Sequence, residues 1–177
     1  MIAMRGPPLA GEMDVMNFTL LAKLFALAVT LHNLEEALLL PAWSQAAGRW
    51  HPPVGTPEFS FAVAVLTLLA YAAVYLALSK GRESLSAYLL SGYALAMLLN
   101  AFFPHVIASV VMRRYAPGTL TAVLLNLPVT FLLLRQGFRE QYIHASRFVR
   151  IAPLIVLGLL ASIPALFFTG RILFRAG

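Results

Sequence analysis

Long apolar runs separated by short polar connections dominate the sequence. Five runs, at about 17–40, 59–79, 85–113, 119–134 and 151–168, come close to or exceed the roughly 20 mostly apolar residues that a membrane-spanning helix needs. Each run is continuously apolar and lacks the alternation of apolar and polar positions typical of a transmembrane β-strand. The pattern therefore predicts an all-α fold, a polytopic membrane helix bundle of about five transmembrane helices in a single integral membrane domain, 1–177.

Local signals indicate where the runs begin and end. Asp14 is the expected cap of the first helix, and Pro41 is expected to end that helix because proline lacks the N–H that continues it. The connection at 41–58 contains Trp43 and Trp50, and tryptophan favours the head-group level of a bilayer. The connection at about 135–150 mixes four arginines with aromatic residues, which predicts a basic amphipathic segment at the membrane surface.

The composition supports a membrane protein and narrows its partners. Hydrophobic residues make up 60% of the chain and charged residues 11%, whereas a soluble domain is roughly a quarter charged. There is no cysteine, which excludes disulfides and thiolate metal sites. The net charge is +6, but the basic residues lie mostly in the short connections. We therefore expect membrane lipids as partners and no nucleic acid.

The distribution of basic residues predicts an orientation in the membrane. Seven Lys and Arg residues lie on the side of the N-terminus and five on the opposite side, which favours a cytoplasmic N-terminus in a multi-pass protein of the cell membrane. The two groups are Arg5, Lys80, Arg82, Arg135, Arg139, Arg147 and Arg150, and on the opposite side Arg49, Arg113, Arg114, Arg171 and Arg175.

Three ionisable residues lie close together inside the first apolar run. His32, Glu35 and Glu36 each cost on the order of 2.5–3.5 kcal/mol at the centre of a membrane span, so together they require partners or a function. Residues three and four positions apart share one face of a helix. His32 therefore lines up with both glutamates.

Polar residues of other runs are predicted to reach the same depth. His32 precedes the end of its run by about 13 Å, and His105 precedes Arg113 by about 12 Å on a helix that runs in the same direction. Asn126 lies about 10 Å inside the fourth run, which enters from that side. Pro104, beside His105, should open the third helix locally, as helices do where they line a polar cavity.

The motifs in this region resemble those of a known family. His32-Asn33-Leu34-Glu35-Glu36, the second histidine His105, and Tyr115-Ala116-Pro117-Gly118 are similar, in this order, to the signature of the HXXEE domain proteins. These are small predicted membrane proteins. The resemblance covers about residues 15–135 and leaves the last helix outside. It implies no particular activity, because the family has none established.

A metal site is the first functional hypothesis. Imidazole and carboxylate groups bind zinc, iron or manganese, and catalytic zinc commonly has three protein ligands and one open position. We predict His32, Glu36 and His105 as the ligands of a divalent metal, zinc before iron or manganese. Glu35 is predicted as the general base and Tyr115 as a second catalytic residue, and the sequence equally allows the two glutamates to exchange roles. Four further residues are candidates for supporting the site or binding substrate: Asn100, Asn126, Arg113 and Arg114.

This hypothesis predicts a metal-dependent hydrolase or another enzyme that acts on an apolar or lipidic substrate. The alternative is a transporter, channel or proton relay that uses the same His and Glu residues without metal. A transporter of this size would have to form a homo-oligomer. A purely structural role is the third alternative, although one buried hydrogen bond between helices stabilises by only about 0.6–2 kcal/mol.

Overall fold

The computed structural model describes residues 16–48 and 51–175 of the chain. It consists of five long helices: α1 (Phe18–Ala46), α2 (Thr56–Lys80), α3 (Leu85–Met112), α4 (Thr119–Arg139) and α5 (Ala145–Arg175). All five are long and apolar enough to cross a membrane, and no strand occurs in the described parts of the chain. The predicted fold, an all-helical bundle with five membrane-spanning helices, is confirmed.

Helix α1 differs from its prediction at the C-terminal end. It continues through Pro41 to Ala46, so the expectation that Pro41 ends the helix is wrong. A proline inside a helix removes the hydrogen bond to the carbonyl four residues earlier, here that of Ala37, and membrane helices tolerate this loss where packing and neighbouring groups compensate. The Ser44 hydroxyl donates to the Pro41 carbonyl at 2.8 Å. At the other end Asn17 caps the helix and accepts from the Leu20 N–H at 2.9 Å. Asp14, the predicted cap, lies outside the described residues, as do Arg5, Arg49 and Trp50.

The last two helices are longer than their apolar runs. Helix α4 extends to Arg139 and α5 begins at Ala145, so most of the connection predicted at 135–150 is helical and only a short turn remains. Helix α5 also continues past residue 168 to Arg175. Hydropathy identifies the apolar part of a helix and misses its polar ends, where long basic side chains can extend towards the membrane surface.

The core lies between α1, α2, α3 and α4. Its fully buried residues include large apolar side chains, mostly of α1, and alanines of α2 and α3, which allow close approach of backbones. They include Phe18, Phe25 and Val29 of α1, Ala70 and Ala77 of α2, Ala94 of α3 and Leu133 of α4. Asn33 joins α1 to α2, since its amide donates to the Val63 carbonyl and the Thr67 hydroxyl at 3.2 and 2.8 Å. Helix α5 packs on α2 and α3 and keeps most of its surface exposed.

Two irregular turns occur where α3 and α4 approach α1. The segment Ala101–Val106 of α3 forms a wide π-type turn in which Phe103 leaves helical geometry, with φ −126° and ψ 117°. This is the local opening predicted beside Pro104. The segment Ala122–Asn126 of α4 forms a second π-type turn. Such turns are frequent at functional sites because they redirect a side chain and free backbone groups.

Candidate functional site

The predicted ligands His32, Glu36 and His105 form one cluster. One nitrogen or oxygen atom from each lies within 4.8 Å of the others. Glu36 Oε1 is 3.3 Å from His105 Nε2, and Glu36 Oε2 is 3.9 Å from His32 Nε2. The two imidazole rings are nearly perpendicular, at 88°, with centroids 4.8 Å apart. The prediction that His32 and His105 approach each other is confirmed.

The far side of the His32 ring is held by α4. His32 Nδ1 lies 3.0 Å from the Thr121 hydroxyl, which donates to Glu35 Oε2 at 2.6 Å. A hydroxyl has one hydrogen, so when Thr121 donates to the carboxylate it must accept from an Nδ1–H of His32. That tautomer leaves the lone pair on Nε2, which faces Glu36 and His105. An outer hydrogen bond of this kind fixes the ring of a metal-binding histidine.

Asn100 connects the two histidines. Its side-chain amide nitrogen lies 3.2 Å from His32 Nε2 and 3.0 Å from His105 Nε2. An amide N–H needs an acceptor, so this arrangement also requires a lone pair on each Nε2. Asn100 was predicted as a candidate supporting residue. In the structure it contacts the Nε2 atoms of both histidines directly.

Glu35, which is adjacent to Glu36, faces α4 instead. Its carboxylate accepts hydrogen bonds from the N–H groups of Gly118 and Thr121, at 2.8 and 3.0 Å, and from the hydroxyls of Thr121 and Tyr115. Gly118 is the N-cap of α4, so a carboxylate of α1 satisfies N–H groups that a helix start leaves without intrahelical partners. The negative charge also suits the positive end of the helix dipole. This geometry supports a positioning role for Glu35, and the general-base role stays a prediction.

The Tyr115–Gly118 motif forms the loop that closes the site. Gly118 has φ +87° and lies against both imidazoles: a Cβ atom there would be 2.5 Å from His105 Cε1 and 2.9 Å from His32 Cε1. Burial and the hydrogen bond to Glu35 raise the pKa of Tyr115, which keeps its hydroxyl protonated and able to donate. The Trp43 indole N–H donates to the Tyr115 carbonyl at 3.1 Å. The loop is thus attached to α1 at both Trp43 and Glu35.

A cavity of about 400 Å³ opens beside the cluster. Glu36 and His105 lie in its wall, and most of the remaining lining is apolar: Leu40, Trp43, Phe103, Pro104, Ile107, Ala108, Val111, Met112, Ala116 and Pro117, together with His51. Several lining residues of α3, including Phe103 and Val111, are also exposed on the outer surface of the helix. The cavity therefore lies between the His and Glu cluster and the lipid-facing surface.

Other predicted site residues lie elsewhere. Asn126 is fully buried, and neither of its side-chain polar atoms has a hydrogen-bond partner in the described structure. Arg113 and Arg114 are exposed where α3 ends, and neither lines the cavity. Thr121 was not foreseen from the sequence, whereas His51, a loop residue that could join the site by its position in the sequence, lies in the cavity wall. A single threonine at a helix start carries no signal of the histidine that it will contact.

Comparison with known proteins identifies the family. The family described as "Protein of unknown function with HXXEE motif" matches residues 23–133. The chain belongs to the HXXEE family. The chain is also 42% identical, over 146 residues, to the "Uncharacterized protein YrkK" of Bacillus subtilis (strain 168), covering 82% of this chain and 92% of that protein. No solved structure matches. The family assignment confirms the resemblance carried by His32–Glu36, and the HXXEE motif accounts for three of the site residues described above.

Proposed function

We propose that this HXXEE protein is a multi-pass membrane protein that binds one divalent metal ion through His32, Glu36 and His105. The single observation that carries the proposal is the convergence of one ring nitrogen from each histidine and one carboxylate oxygen within 4.8 Å. Three ligands around an ion at about 2.0–2.2 Å would lie closer together than these atoms do. Binding would therefore draw the side chains inwards and turn the Asn100 amide away from the two Nε2 lone pairs that it now occupies. Two imidazoles and a carboxylate are a donor set that zinc, iron(II) and manganese accept.

The surroundings of the three residues support metal binding over a structural role. An ion pair between a histidine and a carboxylate does not require one particular ring nitrogen to face the carboxylate. Here the Thr121 hydroxyl contacts Nδ1 of His32, so that Nε2 faces Glu36. Outer-shell hydrogen bonds of this kind set the tautomer and orientation of metal-binding histidines. The neighbouring carboxylate, Glu35, is engaged by four hydrogen bonds and leaves Glu36 as the ligand.

We further propose that the metal site belongs to an enzyme for an apolar or lipidic substrate, of which hydrolysis is one candidate reaction. A bound ion would act as a Lewis acid that polarises a carbonyl or phosphoryl oxygen of the substrate. The mostly apolar cavity of about 400 Å³ falls within the size range of small-molecule sites and would hold the apolar part of a substrate. Ion pathways are lined by polar or charged groups, and this lining favours the enzyme over a channel.

Metal analysis of the purified protein tests the first step. We expect about one divalent ion per chain in the wild type and loss of that ion in His32→Ala, Glu36→Gln and His105→Ala. His144→Ala is the matched control, because His144 lies on the opposite side of the bundle and pairs with Glu83. Equal metal content in all five proteins would refute the assignment.

A second experiment tests the enzyme. Metal-loaded protein is incubated with vesicles of native lipid extract, and the products are compared by mass spectrometry with those of Glu36→Gln. We expect a product that the wild type forms and Glu36→Gln does not. Identical product patterns would contradict the enzyme and leave the metal site standing.

A further inference from the structure

A second cavity, of about 540 Å³, lies on the opposite side of the bundle, where α5 begins. Its wall is lined by seven residues, most of them polar or charged: Glu83, Tyr88, His144, Ser146, Arg147, Arg150 and Ile151. The cavity is separate from the His32–Glu36–His105 cluster, since it lies at the start of α3 and α5 whereas the cluster lies near the other end of α3. It is therefore a different site.

Arg147 is held in place by its neighbours. Its guanidinium stacks over the Tyr88 ring, 4.8 Å from the centroid, and donates to the Glu83 carbonyl at 3.4 Å. Tyr88 is itself 1% exposed, and its hydroxyl accepts from the His144 N–H at 3.0 Å. A guanidinium that is already oriented loses less conformational freedom when it binds an anion.

The charges around the cavity favour an anion. The single carboxylate in its wall, Glu83, lies 3.1 Å from His144 Nε2. Neither Arg147 nor Arg150 forms an ion pair with a carboxylate within residues 16–48 and 51–175. Arg150 donates through Nε to the Ser146 carbonyl of its own helix at 2.9 Å. Two cations thus face one cavity at the depth where the apolar part of α5 begins.

The adjacent face of α5 suits a lipid chain. Positions three, four and seven residues apart share one side of a helix, so Arg147, Arg150, Ile151 and Leu154 form one stripe. Leu154 is 68% exposed, and Gly158, which continues the stripe, has open space where a side chain would be. A cationic end followed by an exposed apolar helix face matches an anionic head group followed by an acyl chain.

We propose that this cavity binds the phosphate group of an anionic phospholipid, with Arg147 and Arg150 as its ligands and the α5 stripe as the seat of one acyl chain. Basic pockets between transmembrane helices bind anionic lipid head groups in this way. The site would take phosphatidylglycerol in preference to phosphatidylcholine, whose head group carries no net charge. The proposal does not depend on the metal site.

Native mass spectrometry of the full chain, released from detergent with defined lipids, provides the test. We expect wild-type protein to retain phosphatidylglycerol over phosphatidylcholine at least tenfold, and Arg147→Gln/Arg150→Gln to lose this preference. Lys80→Gln/Arg135→Gln is the matched control. It removes two positive charges from exposed positions on the same side and outside the cavity, so it should keep the preference.

Equal loss in both double variants would overturn the site in favour of general attraction to the charged surface. Equal binding of glycerol phosphate and phosphatidylglycerol would overturn the lipid assignment, because the acyl chains of the lipid would then contribute nothing to binding. Arg147 packs on Tyr88, so its removal could also weaken folding; Arg150→Gln alone avoids this, since its bond is within its own helix. A wild-type preference in Arg150→Gln would contradict the proposal.

Discussion

Glu35 and Thr121 are joined twice across the interface between α1 and α4. The Glu35 carboxylate accepts from the Thr121 N–H at 3.0 Å and from the Thr121 hydroxyl at 2.6 Å. The same hydroxyl contacts His32 Nδ1 at 3.0 Å, so a line of polar contacts runs from a helix start to a proposed metal ligand. The two adjacent glutamates therefore have different roles. Glu35 binds the start of α4 and positions Thr121, whereas Glu36 faces the histidines.

This division predicts different effects of two similar substitutions. Glu35→Gln replaces an acceptor oxygen with an amide N–H₂ and leaves one or more of four donors without a partner, which costs about 1–3 kcal/mol for each buried group. We therefore expect a lower thermal midpoint for Glu35→Gln in metal-free protein. Glu36→Gln removes a charge from apolar surroundings and should be neutral or stabilising under the same conditions. A raised midpoint in both variants would contradict the capping role of Glu35.

Thr121 should control metal affinity without being a ligand. Thr121→Val keeps the shape of the side chain and removes the hydroxyl that contacts His32 Nδ1. Loss of such an outer hydrogen bond typically lowers metal affinity 10–100-fold. We expect that decrease in a competition titration with a chelator, and recovery in Thr121→Ser. Unchanged affinity in Thr121→Val would show that the His32 tautomer is not set from α4.

Gly118 should be required for the site as well as for its turn. Gly118→Ala introduces a Cβ within 2.9 Å of both imidazoles at φ +87°. Gly81→Ala is the matched control, because Gly81 has φ +76° but open space around its Cβ position. Gly118→Ala should cost about 1–2 kcal/mol from backbone strain. Gly81→Ala should cost at least as much, about 1–3 kcal/mol, because Gly81 has ψ −160°, in a region that almost only glycine adopts. Only Gly118→Ala should also lose metal, and equal metal content in the two variants would contradict the contact.

The orientation in the membrane can be tested with introduced cysteines, since the chain has none. Ala46 and Ala145 are exposed, one at the end of α1 and the other at the start of α5. With a cytoplasmic N-terminus, an impermeant thiol reagent should label Ala46→Cys in intact cells and Ala145→Cys only after lysis. Labelling of both from the same side would contradict the arrangement of five spans.

By sequence, Ser44 and Ser84 also lie in connections on opposite sides of the membrane, but they would be poorer positions for the cysteines. The structure gives the reason. Ser44 is fully buried, donates to the Pro41 carbonyl and accepts from the Val54 N–H at 3.1 Å. Ser84 caps α3 through the N–H of Ala87. A thiol at either place would disturb the backbone that it is meant to report on.

The sequence by itself determined the class of fold and the depth at which His32, His105 and the pair of glutamates meet. Apolar runs of bilayer length require helices, because lipid offers the backbone no hydrogen-bond partners. Helical spacing places Glu36 one turn from His32, and the depth of His105 on a helix running the same way places it at the same level. These inferences use distances along a helix axis, which depend only on the number of residues.

The tertiary structure decided everything that depends on rotation about those axes and on neighbours. Adjacent residues on a helix point about 100° apart, so the sequence could not show that Glu35 faces α4 while Glu36 faces α3. Nor could it show that Thr121 contacts His32, that Arg113 lies away from the cavity, or that α1 continues past Pro41. Such features depend on which helix packs against which face. Because the runs are mostly apolar on all sides, the sequence pattern does not show which neighbour each face meets.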